Sequence, residues 1–165
     1  MTKNNKDKTV VIAYKGVDEH SYIKDWGING AYSFLSKTIP LQFKDAEKLY
    51  YDVINKLGNS AKDYKIDFAG YSLDGNLAQL MGAKYGNETV TFNAYGAEFM
   101  KNADIIYTDN IINYGHKYDK VYNMRNTEQI GKNIYTKNEN DEDLIRNIKK
   151  YHEMENMGDL KKKIL

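Results

Sequence analysis

Ser72 is the residue best placed by its neighbours to do chemistry. It stands in Asp67-Phe68-Ala69-Gly70-Tyr71-Ser72-Leu73-Asp74-Gly75-Asn76-Leu77-Ala78-Gln79-Leu80. Residues 65–71 have the apolar content of a strand, and residues 73–85 carry Leu73, Leu77, Leu80, Met81 and Lys84 on neighbouring helical turns before Gly86. A serine at so sharp a strand-to-helix turn is held clear of the sheet, with the free N–H groups of a helix start beside it. Such a hydroxyl becomes a nucleophile once a base takes its proton. A serine capping an ordinary helix would have similar neighbours. The pattern also departs from Gly-x-Ser-x-Gly, because Asp74 stands where the second glycine is expected and a glycine follows only at Gly75.

The elements around Ser72 alternate. Residues 9–14, Thr-Val-Val-Ile-Ala-Tyr, form a short apolar run suited to a central strand. Phe43, Ala46, Leu49, Tyr50, Val53, Ile54 and Leu57 recur three or four apart and stop at Gly58, which predicts an amphipathic helix with a glycine end. Residues 89–94 read as a third strand and residues 120–125 as a fourth, with a mixed stretch at 97–119 between them. Leu144, Ile145, Ile148 and Tyr151 mark a final helical stretch after a polar, acidic loop. Strands alternating with helices predict an α/β fold with a mostly parallel sheet.

Composition bounds the rest. The chain has 165 residues, of which 41% are apolar and 28% charged, enough for one domain with a real core. We expect a polar tail over residues 1–8 and a single domain over 9–165. A net charge of +1 provides no field to gather nucleic acid. The chain holds no cysteine, which removes disulfides, thiolate metal sites and cysteine nucleophiles. Its first residues lack the apolar stretch of a cleaved signal, and no apolar run reaches the ~18 residues of a membrane span. The expected location is therefore cytoplasmic, or outside the cell by a route without a cleaved signal.

The chain resembles the class 3 lipase family, the fungal-lipase-like branch of the α/β-hydrolases, and in particular its bacterial members. Gly70-Tyr71-Ser72-Leu73-Asp74-Gly75-Asn76-Leu77-Ala78 is similar to that family's Gly-His-Ser-Leu-Gly-Gly-x-Leu-Ala. Val90-Thr91-Phe92-Asn93-Ala94-Tyr95-Gly96 resembles its Val-Thr-Phe-Asn-Ala-Pro-Gly, with tyrosine for proline. Val11-Ile12-Ala13-Tyr14-Lys15-Gly16-Val17 resembles the strand closing in Phe-Arg-Gly-Thr, and Asp25-Trp26 follows it as the family's Asp-Trp pair does. The likeness runs over residues 9–157.

The resemblance implies a compact α/β-hydrolase fold and hydrolysis of carboxylic esters, in particular lipid acyl esters, with transient contact with a lipid surface and no metal or organic cofactor. It implies Ser72 as nucleophile and the backbone N–H groups of Val17 and Leu73 as the oxyanion hole. The chain order serine, acid, histidine removes His20 as the base. His116 precedes the expected fourth strand and has no well-placed acid between it and Ser72. His152, in Tyr151-His152-Glu153-Met154-Glu155-Asn156-Met157, resembles the family's His-x-Met-x-Asn stretch and is the expected base. Aligning on Ile130-Gly131 puts Glu128 where relatives carry the aspartate, with Asp119 as the second choice.

Asp74 introduces a Cβ and a charge where the family has glycine. Two like charges at ~6 Å and an effective dielectric of ~20 repel by about 3 kcal/mol, roughly a hundredfold in rate. Two other readings thus stand beside the ester hydrolase. One is a degenerate, non-catalytic hydrolase-fold module that binds a protein or lipid. The other is a thioesterase or acyltransferase on the same scaffold.

Overall fold

The computed structural model describes residues 2–4 by their backbone, and 8–14, 42–98, 100, 104–123 and 128–136. They form a six-stranded sheet in sequence order, β1 (Thr2–Asn4), β2 (Thr9–Tyr14), β3 (Lys65–Tyr71), β4 (Thr89–Phe92), β5 (Ile111–His116) and β6 (Lys132–Thr136). Five of them, β2 to β6, run parallel. β1 pairs antiparallel with β2 and comes from the segment expected as a polar tail. Two α-helices are described, α1 (Phe43–Leu57) and α2 (Ser72–Tyr85), and a 3₁₀ helix spans Gly58–Asp63. The α/β class with a mostly parallel sheet is thus the class expected from the alternating pattern.

Local chemistry accounts for the boundaries. α1 carries Asp45 in its first turn and Lys56 in its last, each matched to the helix dipole, and ends at Gly58, whose φ is +53°. Its stripe of Phe43, Ala46 and Val53 is buried, whereas Leu49 lies on the flank and is exposed. α2 ends at Gly86 in the left-handed region, with the Gly86 N–H donating to the Gly82 carbonyl at 2.9 Å. Lys84 on α2 pairs with Glu47 on α1 at 2.9 Å and ties the two helices together.

α2 is buried continuously from Gly75 to Ala83, so it has no solvent stripe over those turns. Small residues allow this. A Cβ at Gly82 would lie 2.2 Å from Thr89 Oγ1 on β4, and one at Gly75 would lie 2.4 Å from the Ala94 Cβ. The core fills the face between α2 and the sheet, with Val10, Ile12, Ile66, Phe68, Leu80, Met81 and Ile111 fully or nearly enclosed.

Besides β1, two strands differ from expectation. The fourth parallel strand is Ile111–His116, inside the stretch read as mixed, and residues 120–123 are turn. Val121 and Tyr122 supply the apolar content that imitates a strand there. β6 is the second strand that the sequence pattern does not announce: its residues are exposed or half-buried and carry little hydrophobic signal. The expected last helix lies outside the described residues.

Register then fixes what shares an edge. Tyr71 pairs with Phe92, Phe92 with Tyr114, and Tyr14 with Gly70. The carboxyl ends of β2, β3, β4 and β5 therefore meet along one edge, with Ser72 and Asn93 directly beyond β3 and β4. This is the edge at which parallel α/β sheets place ligands. Gly75→Ala should destabilise the fold by about 2–3 kcal/mol in urea unfolding, because the added methyl meets Ala94 in a packed core. A change under about 0.5 kcal/mol would contradict this close approach.

Candidate active site at the carboxyl edge of the sheet

Ser72 is buried and has φ +56°, one of three described non-glycine residues with positive φ. That backbone costs of order 1–3 kcal/mol and is characteristic of functional turns. The capping position belongs to Tyr71, which is extended at φ −132° and ψ 141°; Ser72 is already the first helical residue. An ordinary capping serine would itself sit in extended backbone, so Ser72 is not such a cap, and the chain bends there in a sharp strand-to-helix elbow. The turn is tight: a Cβ at Gly70 would lie 2.7 Å from both the Asp74 carbonyl oxygen and the Gly75 Cα.

The close approaches that require glycine fall at Gly70 and Gly75, where an added Cβ would meet a neighbour under 3 Å away. Leu73 is half-buried in the first turn of α2, where backbone N–H groups lack helical partners. Val17 and His152 lie outside the described residues, as does His20. β2 ends at Tyr14, which pairs with Gly70.

Asp119 lies just beyond β5 and is fully buried. Its carboxylate accepts a hydrogen bond from the Tyr122 N–H at 2.8 Å, and its own N–H donates to the His116 carbonyl at 3.0 Å. The Asn123 side chain donates to the Asp119 carbonyl at 2.6 Å. The Tyr122 ring lies against Gly115, where a Cβ would be 2.2 Å from the ring, and its hydroxyl donates to the Asn113 carbonyl at 3.2 Å. The missing side chain at Gly115 lets Tyr122 fold the turn back over β5 and hold Asp119 inside.

Glu128, in contrast, is exposed, and its carbonyl accepts from the Glu98 N–H at 3.0 Å. It stands in the segment leading to the amino end of β6. The difference traces to the misplaced fourth strand: an acid sought beyond residues 120–125 is Glu128, and an acid sought beyond Ile111–His116 is Asp119. The signal available in sequence was the run Ile111-Ile112-Asn113-Tyr114-Gly115-His116, with a glycine next to its end and an aspartate three residues beyond it.

His116 is fully buried at the end of β5. Its N–H donates to Asn93 Oδ1 at 2.9 Å, and its Nδ1 accepts from the Tyr118 N–H at 3.2 Å. With Nδ1 as acceptor, the neutral tautomer that fits this contact carries its proton on Nε2. The backbone N–H of His116 thus braces β5 against Asn93 beyond β4, and its ring accepts from the turn that follows β5. Asn93, buried with φ +43°, completes that brace and was not singled out from the sequence.

Asp74 is half-buried in the first turn of α2. Burial alone pushes its carboxyl up to about 6 from the ordinary 3.8, with no ion pair or side-chain hydrogen bond among the described residues to compensate. Among the described residues no three His, Asp or Glu side chains gather as they would to hold a metal ion. A cavity of about 560 Å³ lies elsewhere, lined by Glu98, Ile105, Thr108, Asp109, Gln129 and Ile130 among others.

The raised Asp74 carboxyl has a consequence for stability. Its folded pKa lies above its unfolded one, so its favourable contribution is complete below pH ~4 and is lost as pH rises through about 6. Asp74→Asn should therefore raise stability by about 1–2 kcal/mol at pH 8, allowing for the water that still reaches the carboxylate, with no difference near pH 4. Thermal unfolding at the two pH values reads this directly, and a gain independent of pH would contradict it.

Comparison with known protein families finds no match, and comparison with curated proteins finds none either.

Proposed function

We propose that the chain is a serine hydrolase of carboxylic esters on an α/β-hydrolase fold, acting on lipid or other acyl esters. The observation that carries this reading is the left-handed backbone of Ser72 at a strand-to-helix turn closed by Gly70 and Gly75. Supporting it, the buried Asp119 follows β5, so the chain order is serine, acid and then the histidine of the resembled motif, His152. In this reading Asp119 replaces Glu128 as the acid.

Ser72 Oγ attacks the acyl carbonyl carbon while His152 takes its proton. The carbonyl oxygen becomes an oxyanion held by the N–H groups of Leu73 and Val17. Collapse expels the alcohol, which receives the proton from His152, and leaves an acyl group on Ser72. Water, deprotonated by the same histidine, then releases the carboxylic acid. Asp119 orients the imidazole and stabilises its charged form.

Asp74 favours a second reading, a hydrolase-fold module that binds a lipid or protein without turnover. Its unpaired carboxylate in the first helical turn opposes an oxyanion at the same helix start. Both readings expect a folded protein, and they part on kinetics. With p-nitrophenyl butyrate, Ser72→Ala should reduce kcat/KM at least about a thousandfold. Asp119→Asn should reduce kcat by roughly 10³–10⁴ and Glu128→Gln by less than about twofold. Asp74→Asn should accelerate hydrolysis severalfold at pH 8 and hardly at pH 5, where Asp74 is mostly protonated. Hydrolysis that survives Ser72→Ala, or its absence in the folded wild type, would reject the enzyme reading.

A further inference from the structure

Two buried glutamines join the serine elbow to the acid turn. Gln79 on α2 is fully enclosed and Gln129, before β6, nearly so. Gln79 Nε2 donates to Gln129 Oε1 at 2.6 Å and to the Tyr95 carbonyl at 3.3 Å, and Gln79 Oε1 accepts from the Ile130 N–H at 2.9 Å. Gln129 Nε2 donates to the Ala94 carbonyl at 2.9 Å and to the Tyr122 carbonyl at 3.3 Å. Each amide group thus spends both of its N–H donors, and each oxygen is engaged.

The two ends of this pair reach the site. The Tyr95 N–H donates to the Ser72 carbonyl at 3.0 Å, and the Tyr122 N–H donates to Asp119 Oδ1 at 2.8 Å. A continuous path therefore runs from Ser72 through Tyr95, Gln79, Gln129 and Tyr122 to Asp119. No apolar side chain could replace it, because Ala94, Tyr95 and Tyr122 would then be left with buried carbonyl oxygens short of a partner.

We propose that Gln79 and Gln129 act as one positioning unit that sets Asp119 relative to Ser72; the catalytic part of this claim rests on the hydrolase reading. The pair touches neither substrate nor reacting atoms and works through the acid turn. A misplacement of about 1 Å in such a constellation costs on the order of a hundredfold in rate.

The test uses the full chain with Gln79→Met, Gln129→Met and the gentler Gln129→Asn, which keeps the amide uncharged but draws it back by one methylene. Each is made in the wild type and in Asp119→Asn. Folded variants in the wild-type background should lose about 10- to 100-fold in kcat on p-nitrophenyl butyrate, with KM within about twofold. In the Asp119→Asn background the same changes should cost under about twofold, since the acid they position is already gone. Amide hydrogen exchange should accelerate together at Tyr95 and Tyr122. An undiminished loss in the Asp119→Asn background, an unchanged kcat, or unchanged exchange at either amide would overturn the proposal. If the wild type shows no Ser72-dependent hydrolysis, the hydrolase reading fails and with it the catalytic part of this claim. Accelerated exchange at both amides would still support the physical coupling, and unchanged exchange would reject that too.

Discussion

The arrangement depends on how closely α2 approaches β3 and the chain beyond β4. The helix begins directly at the end of β3, with no connecting residue between Tyr71 and Ser72. Such a turn demands a left-handed residue and backbone contact on both sides of it. Gly70 and Gly75 permit the contact, since a Cβ at either would sit under 3 Å from a neighbouring atom. The strain at Ser72 is held because α2 is anchored along its whole buried length. Packing far from the serine thereby fixes where its hydroxyl projects.

The parallel sheet extends this constraint across the edge. Each strand crosses in the same direction, so the residues after β3, β4 and β5 collect together. There they are braced by polar side chains instead of apolar ones. Asn93 links β4 to His116, Tyr122 folds over Gly115, and the two glutamines close the path between elbow and acid turn. A buried polar network is costly unless every donor is met, and when it is met it specifies one geometry. A site that needs serine and carboxylate at a set separation is a natural place for such a network.

Much of this was legible in sequence. The bounds of β2, α1 and β3 follow from apolar period and glycine punctuation, and α2 begins one residue before its apolar period does. What failed to read were strands without a clean period. β5 mixes Asn113 and Gly115 into its buried set, and β6 is largely exposed. The turn at residues 120–123 carries Val121 and Tyr122 and so imitates the strand that is missing from the pattern. With the strand at Ile111–His116, the acid that follows it directly is the buried Asp119, whereas the exposed Glu128 was chosen by aligning on Ile130-Gly131. The roles of Gln79 and Gln129 had no local signal at all, because their partners lie 50 residues apart in the chain.

Asp74 is the residue at which the sequence departs from the elbow it resembles, and the departure is electrostatic, since the steric demand falls on Gly75. In the hydrolase reading, a charge there would slow the site without dismantling it. The most direct measurement is mass-spectrometric mapping of a fluorophosphonate adduct on the folded protein at pH 6 and pH 8. The account expects one adduct per chain, on Ser72, formed far more slowly in Asp119→Asn. No adduct, or an adduct on another serine, would contradict an activated nucleophile at Ser72.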